Sequence, residues 1–204
     1  EIGDLLFEKG QRRLQRGWWV PFRKRPFSNA IEVYRMVIDN QPFTEAAAEA
    51  QYKVGLCHFT LNEYVAAAYE YRRVVEEYGA SQWVDDAAFG LAECYYAASR
   101  PPEYDQSPSL LAISAIDDFK RRFPDDERGN TLTPKREEMR ERVAQQRLRT
   151  AQFYEKRRKF DAARICYQVV VEQFPETTAA EKAKNWLAEH PHTSPSEATA
   201  QASL

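Results

Sequence analysis

Hydrophobic and small residues recur along this chain at the spacing of an amphipathic helix. In the stretch FYEKRRKFDAARICYQVVVEQFPET, residues 153–177, an alanine precedes two large apolar residues and then a proline. Apolar positions three and four residues apart share one helix face, and a proline or glycine ends a helix. The four copies are Ala30, Tyr34, Val37 and Pro42; Ala67, Tyr71, Val74 and Gly79; Ala112, Ile116, Phe119 and Pro124; and Ala163, Tyr167, Val170 and Pro175.

A second pattern lies upstream of these helices. AEAQYKVGLCHF, residues 48–59, aligns without gaps with DDAAFGLAECYY, residues 85–96, and small residues coincide where Gly55 meets Ala92. Small residues let a second helix approach closely, so each unit is a pair of helices, as in tetratricopeptide repeats. The sequence therefore predicts an all-α, right-handed tetratricopeptide-like α-solenoid of about four helical pairs plus a C-terminal capping helix. The four repeat alanines are expected to lie buried between helices.

The remaining segments set the expected boundaries. Proline and serine make residues 18–27 and 99–109 long loops, and residues 134–157 form one long helix. The solenoid is expected to occupy residues 1–190 as a single domain, followed by a disordered polar tail at 191–204. The expected helix starts are Ser107 with Pro108, Thr133 with Pro134, Asp161, and a capping pair of Thr178 with Glu181 that opens a last helix ending near His190.

Charge decides between two interpretations of the run KRRK, residues 156–159. The chain carries 29 Lys and Arg against 31 Asp and Glu, a net charge of -2. A nucleic-acid domain usually has a basic excess, so a solvated turn between two helices is favoured over a phosphate-binding patch, and no nucleic-acid partner is expected.

No run of 18 apolar residues or charged-then-apolar leader appears, so neither a membrane span nor a signal peptide is expected in the chain as given.

Catalytic and metal-binding chemistry is not expected. The three cysteines have no CxxC spacing, and neighbouring residues such as Cys57 and His58 point about 100° apart on a helix. Cys57 and Cys94 are expected to pack in the core. His190 and His192 have no acidic or thiol partner in sequence, so we expect no metal, no cofactor and no enzymatic activity.

Two long stretches carry a family resemblance. YDQSPSLLAISAIDDFKRRFPDD, residues 104–126, precedes a long charged helix and then AQFYEKRRKFDAARICYQVVVEQFPET, residues 151–177. This order resembles the BamD (YfiO/ComL-like) family of outer-membrane assembly lipoproteins over roughly residues 1–190. Two features differ: the chain stops after one helix of the family's fifth pair, and Cys166 stands where members often carry arginine, with Arg164 nearby.

The resemblance implies a non-catalytic scaffold that is lipid-anchored at the periplasmic face of the outer membrane. The lipidated cysteine would precede Glu1. The implied partners are a BamA-like outer-membrane barrel protein, held by the C-terminal half, and unfolded outer-membrane protein clients. An alternative is a soluble periplasmic tetratricopeptide adaptor that binds peptides or cell-envelope proteins, which the absence of a lipobox cysteine from the precursor would favour.

Two groups of residues are candidate binding sites. Four aromatic residues at equivalent helix positions are expected either to line a groove for an aromatic-rich client peptide or to pack between helices. They are Tyr52, Phe59, Phe89 and Tyr96, with Lys53 beside them to attract a terminal carboxylate. The second group is a loop expected either to fold onto the first repeat or to lie at the membrane interface, formed by Trp18, Trp19, Arg23, Lys24 and Arg25.

Overall fold

The structure, a computed structural model, describes residues 1–15 and 25–191. These residues form nine helices and no strand, which confirms the all-α prediction of four helical pairs and a final helix. The helices are α1 (Ile2–Gln15), α2 (Arg25–Asn40), α3 (Glu45–Thr60), α4 (Tyr64–Glu77), α5 (Val84–Ala98), α6 (Ser107–Arg122), α7 (Arg128–Lys156), α8 (Phe160–Gln173) and α9 (Thr178–Glu189). None of these helices is long and apolar enough to cross a membrane.

The contacts divide the helices into two compact units. The first unit consists of Glu1–Arg100 and Ser107–Met139, and in it each helix from α1 to α5 packs against the next one along the chain. The second unit consists of Pro101–Gln106 and the residues from Arg140 onward, with α8 packed against α9. This packing between sequence neighbours is the arrangement expected of helical repeats.

The repeat pattern corresponds to the buried core. The four repeat alanines, Ala30, Ala67, Ala112 and Ala163, are fully buried, as predicted. The large residues of the pattern join them: Tyr71 and Val74 lie in one cluster with Val84, Ala87 and Cys94. A helix face of small and large apolar residues thus provides the surface on which the next helix packs, and its removal from water stabilises the fold.

Both loop predictions extend too far towards their C-terminal ends. The first predicted loop ends at Phe27, whereas α2 begins at Arg25. Phe27 is fully buried, and its ring centre lies 5.5 Å from that of Phe7. The second ran to residue 109, but α6 begins at Ser107. Residues 99–106 are closed by the side chain of Gln106, whose amide donates to the carbonyls of Pro101 and Tyr104 at 2.9 and 3.0 Å.

The predicted helix starts in the C-terminal half need correction. The long helix α7 begins at Arg128, so Thr133 is not its cap and Pro134 lies inside it. Helix α8 already includes Asp161 in its first turn, and Lys159 flanks it. Thr177, rather than Thr178, caps α9 by accepting a hydrogen bond from the backbone nitrogen of Ala180 at 3.2 Å.

The run KRRK lies in the turn between α7 and α8, as predicted. Lys156 ends α7, and all four side chains are exposed. Arg158 adopts a left-handed backbone with φ of 57°, and the turn closes when the backbone nitrogen of Lys159 donates to the carbonyl of Tyr154 at 3.0 Å. Left-handed residues are common where a helix ends, so this basic run serves the connection between two helices.

Candidate functional site

The predicted aromatic site starts with Tyr52 and Phe59 on α3, both partly buried. The ring of Tyr52 stacks on Trp83, with 5.2 Å between the ring centres, and packs at a tilt against Tyr71, with 5.5 Å between the centres. Burial raises the pKa of the Tyr52 hydroxyl. The ring of Phe59 meets the edge of Tyr64 at 5.5 Å. These two side chains therefore cover the core of the first unit while each keeps part of its surface in solvent.

On α5, Phe89 occupies the next equivalent position. Its ring meets the edge of Phe119 at 5.7 Å, and the guanidinium of Arg128 lies over it at 5.2 Å. Arg128 also forms ion pairs with Asp85 and Asp86 at the start of α5, the first of these at 3.1 Å. Phe89 is therefore held between an aromatic neighbour and a cation.

Tyr96, also on α5, has the most polar surroundings of the four rings. Its hydroxyl donates to a carboxylate oxygen of Glu138 at 2.7 Å, and the ammonium of Lys135 lies 5.0 Å from its ring centre. Lys135 pairs in turn with Glu93 on α5. Among the described residues none of the four predicted rings stacks on another, so they form a row of separate, half-buried positions.

Lys53 lies beside this row with its charge already compensated. Its ammonium contacts carboxylate oxygens of Asp4 at 2.7 Å and Glu49 at 2.6 Å. The hydrogen bond from Lys53 lowers the pKa of Asp4 to about 2, and Asp4 also accepts a hydrogen bond from the Tyr34 hydroxyl at 2.9 Å. A ligand carboxylate would have to displace two carboxylates from Lys53, so its main role is to join α3 to α1.

The predicted membrane-facing loop is described only at its end. Trp18, Trp19, Arg23 and Lys24 lie outside the described residues. Arg25 is exposed and opens α2, where it lines a cavity of about 380 Å³. We call this cavity the basic cleft; its lining residues are Leu6, Lys9, Arg13, Arg25, Pro26 and Asn29.

Cys57, Cys94, His58 and His190 occupy structural positions. Cys57 and Cys94 are fully buried, as predicted, and burial raises the pKa of each thiol to about 12. Such thiols remain protonated at neutral pH and are poor nucleophiles. The ring nitrogen Nδ1 of His58 lies 3.0 Å from Glu63, while His190 stacks on Trp186 at 4.3 Å. Within residues 1–15 and 25–191 no cluster of three or more His, Cys, Asp or Glu could hold a metal ion.

The second unit presents exposed apolar side chains that were not among the predicted binding residues. Phe153, Phe160 and Ile165 are 49%, 47% and 62% exposed. The guanidinium of Arg157 lies over the Phe153 ring at 4.3 Å. Ile165 follows the repeat alanine of α8 by two residues, as Tyr69 follows that of α4, so their exposure could have been read from the repeat register.

Comparisons with known proteins agree with the resemblance in sequence. A model of the YfiO family, described as outer membrane lipoprotein, matches residues 4–202. A relative from Caulobacter vibrioides, the outer membrane protein assembly factor BamD, is 24% identical over 175 residues, which is 86% of this chain. The chain spans 55% of the length of that relative. Because the family model covers nearly the whole chain, the chain belongs to the YfiO family of outer membrane lipoproteins.

Proposed function

We propose that this chain is a non-catalytic scaffold subunit of the machinery that assembles β-barrel proteins in the outer membrane. The observation that carries the proposal is the family match across residues 4–202. The name of the Caulobacter relative, an assembly factor, points to the same process. We place the chain at the periplasmic face of the outer membrane, anchored through a lipid on a residue that precedes Glu1.

The work of such a subunit is binding rather than chemistry. Cys57 and Cys94 are buried, and His58 contacts Glu63, so none of these three side chains is an activated nucleophile. Paired helices, by contrast, present long faces to other proteins. We assign a BamA-like barrel protein to the second unit, where Phe153, Phe160 and Ile165 are exposed. Exposed apolar side chains of this kind can become the buried centre of an interface.

We assign unfolded outer-membrane protein clients to the row formed by Tyr52, Phe59, Phe89 and Tyr96. Each ring is partly buried against its neighbours and keeps part of its surface in solvent. Rings held in this way provide apolar contact area at a low entropic cost. Since two carboxylates already hold Lys53, recognition of a client would depend on aromatic contacts rather than on a terminal carboxylate.

Partner binding can be tested with two variants matched in repeat position and exposure. Ile165 is 62% exposed and its repeat equivalent in the first unit, Tyr69, is 61% exposed. In the full chain, Ile165→Glu should weaken binding of the periplasmic part of a BamA-like protein by roughly 30-fold, because a charge would be buried at an apolar contact. Tyr69→Glu should leave the affinity unchanged.

The measurement is a titration of purified full-length chain with the barrel protein's periplasmic domains. Both side chains are exposed, so both variants should keep the wild-type thermal transition. Equal affinity for wild type and Ile165→Glu, or equal losses in the two variants, would remove the contact from this face of the second unit.

A further inference from the structure

The basic cleft gathers positive charge from two helices. Leu6, Lys9 and Arg13 are three and four residues apart, so they share one face of α1. Arg25 and Asn29 face the same space from the N-terminal end of α2. No carboxylate is among the described residues that line the cleft, and neither Lys9 nor Arg25 forms an ion pair within the described part of the chain.

Close packing joins the two helices that form the cleft. A side-chain carbon added to Gly10 would approach the Phe27 ring to 2.6 Å, so α1 and α2 meet without space between them. The ring of Phe7 also packs against Phe27 in an edge-to-face contact, with 5.5 Å between the ring centres. Lys9 and Arg25 thus carry their charges at one space between two closely packed helices. Like charges repel each other, and an anion bound between them would relieve that repulsion.

The N-terminus of α2 adds to the positive electrostatic potential of the cleft. The first backbone N–H groups of a helix have no partner within it, and its dipole leaves partial positive charge at that end. Pro26 contributes no N–H, but the side-chain amide of Asn29 is a further donor facing the cleft. Guanidinium, ammonium and amide donors around one space match the several acceptor oxygens of a phosphate group.

We propose that the basic cleft binds the phosphate of an anionic phospholipid headgroup and so provides a second attachment of this chain to the membrane. The family is one of outer membrane lipoproteins, which places a phospholipid surface near the protein. The proposal rests on this family membership, but not on the assignment of protein partners.

The exposed face of α1 favours a membrane phosphate over a free one. Ile2 and Leu5 are 67% and 62% exposed, and Lys9 continues the same face at helical spacing. Helices at a membrane interface combine exposed apolar residues, which enter the boundary between headgroups and acyl chains, with cations that contact anionic lipids. The apolar residues would enter the headgroup region while Lys9 and Arg25 meet phosphates.

The test uses the full chain without a lipid anchor and phosphatidylcholine vesicles with or without phosphatidylglycerol. Wild type should sediment only with the vesicles that contain phosphatidylglycerol. The double variant Lys9→Gln with Arg25→Gln should bind them roughly 25-fold more weakly, at about fivefold for each charge near the surface. All of these side chains are exposed, and unchanged thermal unfolding would show that the fold is intact.

Arg12→Gln is the matched control. Arg12 lies on the same helix but outside the cleft, paired with Glu8 at 3.3 Å. The single change Lys9→Gln should lower binding about fivefold and Arg12→Gln less than about twofold. Equal losses in the two single variants would show general attraction to the surface, and the proposal of a built phosphate site would fall.

Inorganic phosphate distinguishes a lipid from a soluble ligand. Phosphate titrated into the full chain should shift the NMR signals of Lys9 and Arg25 weakly and compete with the vesicles. If phosphate binds while sedimentation does not depend on phosphatidylglycerol, the ligand is soluble and the lipid proposal is wrong. Binding of the barrel protein in detergent should be the same for wild type and the double variant, so failure of one proposal leaves the other intact.

Discussion

Tyr71 shows how single residues hold the repeats together. It is 2% exposed and its ring lies between Gly55 of α3 and Gly90 of α5. A side-chain carbon on Gly55 would come within 2.7 Å of this ring, and one on Gly90 within 2.8 Å. Tyr34 makes the equivalent contact with Gly3, at 2.5 Å. The aromatic position of one helix and the glycine of its neighbour therefore form one packing unit.

This packing predicts opposite effects for two glycine substitutions. Gly55→Ala should lower the free energy of unfolding by about 1–2 kcal/mol, because overpacking against Tyr71 outweighs the roughly 1 kcal/mol gained from helix propensity. At Gly129, an added carbon would find only Lys120 at 3.6 Å and Phe119 at 3.9 Å. Gly129→Ala in α7 should therefore raise stability by up to about 1 kcal/mol.

Urea unfolding of the two single variants measures both effects. Similar slopes of free energy against urea would show that the unfolding transition itself is unchanged. If Gly55→Ala were as stable as wild type, the ring of Tyr71 would have space to move, and the close packing of α3 on α4 would not limit this position.

At the residue scale the sequence predicted burial well and polar contacts poorly. The repeat register placed the four alanines and Cys57 in the core, because each recurs at a fixed offset. It could not place Arg128, whose guanidinium reaches Asp86 across 42 residues of sequence. Long-range ion pairs depend on how neighbouring helices align, and no local pattern encodes that alignment. For the same reason, the sequence did not show that Asp4 neutralises the charge of Lys53.

At the scale of elements, α7 shows tertiary packing outweighing a local signal. Proline disfavours a helix interior, so the sequence placed the start of α7 at Pro134. The structure extends the helix back to Arg128 and fully buries Leu132 in a cluster with Ile116 and Phe119. The hydroxyl of Thr133 also joins α6 to α7 by accepting a hydrogen bond from Lys120 at 2.9 Å. The buried contact of that first turn explains why the helix tolerates an internal proline.

Replacing the internal proline should therefore stabilise the protein. Pro134 is exposed, so Pro134→Ala removes no buried contact and restores a backbone N–H that can donate to the carbonyl of Asn130. We expect the free energy of unfolding to rise by about 1–3 kcal/mol. Pro124, which is also exposed but follows α6, is the matched control, and Pro124→Ala should change stability by less than about 0.5 kcal/mol.

Thermal and urea unfolding of the two proline variants provide the comparison. A gain confined to Pro134→Ala would agree with a helix that runs through this position. No gain, or equal changes in both variants, would mean that the turn at residues 128–133 does not continue as one helix into the rest of α7.

At the scale of the whole molecule, repeat periodicity supplied the number and order of the helices. It also predicted helix pairs that pack against their sequence neighbours, which α1 to α6 do. Binding surfaces were harder to predict, because the repeat register indicates that a position such as Ile165 is exposed but not which partner would contact it. The family's description contributes the membrane context that the repeats lack. The two proposed protein-binding faces lie in separate units, so they can be altered separately.

Client recognition by the aromatic row is the prediction that uses this separation. In the full chain, Phe59→Ala with Tyr96→Ala should weaken binding of a fluorescent, aromatic-rich peptide ending in phenylalanine by about tenfold or more, since both rings lose their contact surface. Tyr96→Phe keeps the ring but loses the hydrogen bond to Glu138, and it should bind the peptide like wild type. Ile165→Glu should also bind the peptide normally while losing the barrel protein.

Fluorescence anisotropy measures peptide affinity, and thermal unfolding shows whether each variant remains folded at the assay temperature. Both rings are half-buried, so the double variant should lose some stability, and the comparison with Tyr96→Phe separates ring contact from hydrogen bonding. A folded double variant that binds the peptide as tightly as wild type would assign these rings to interhelical packing alone. Weaker binding by Tyr96→Phe, equal to that of the double variant, would instead make the hydroxyl and Glu138 the recognition element.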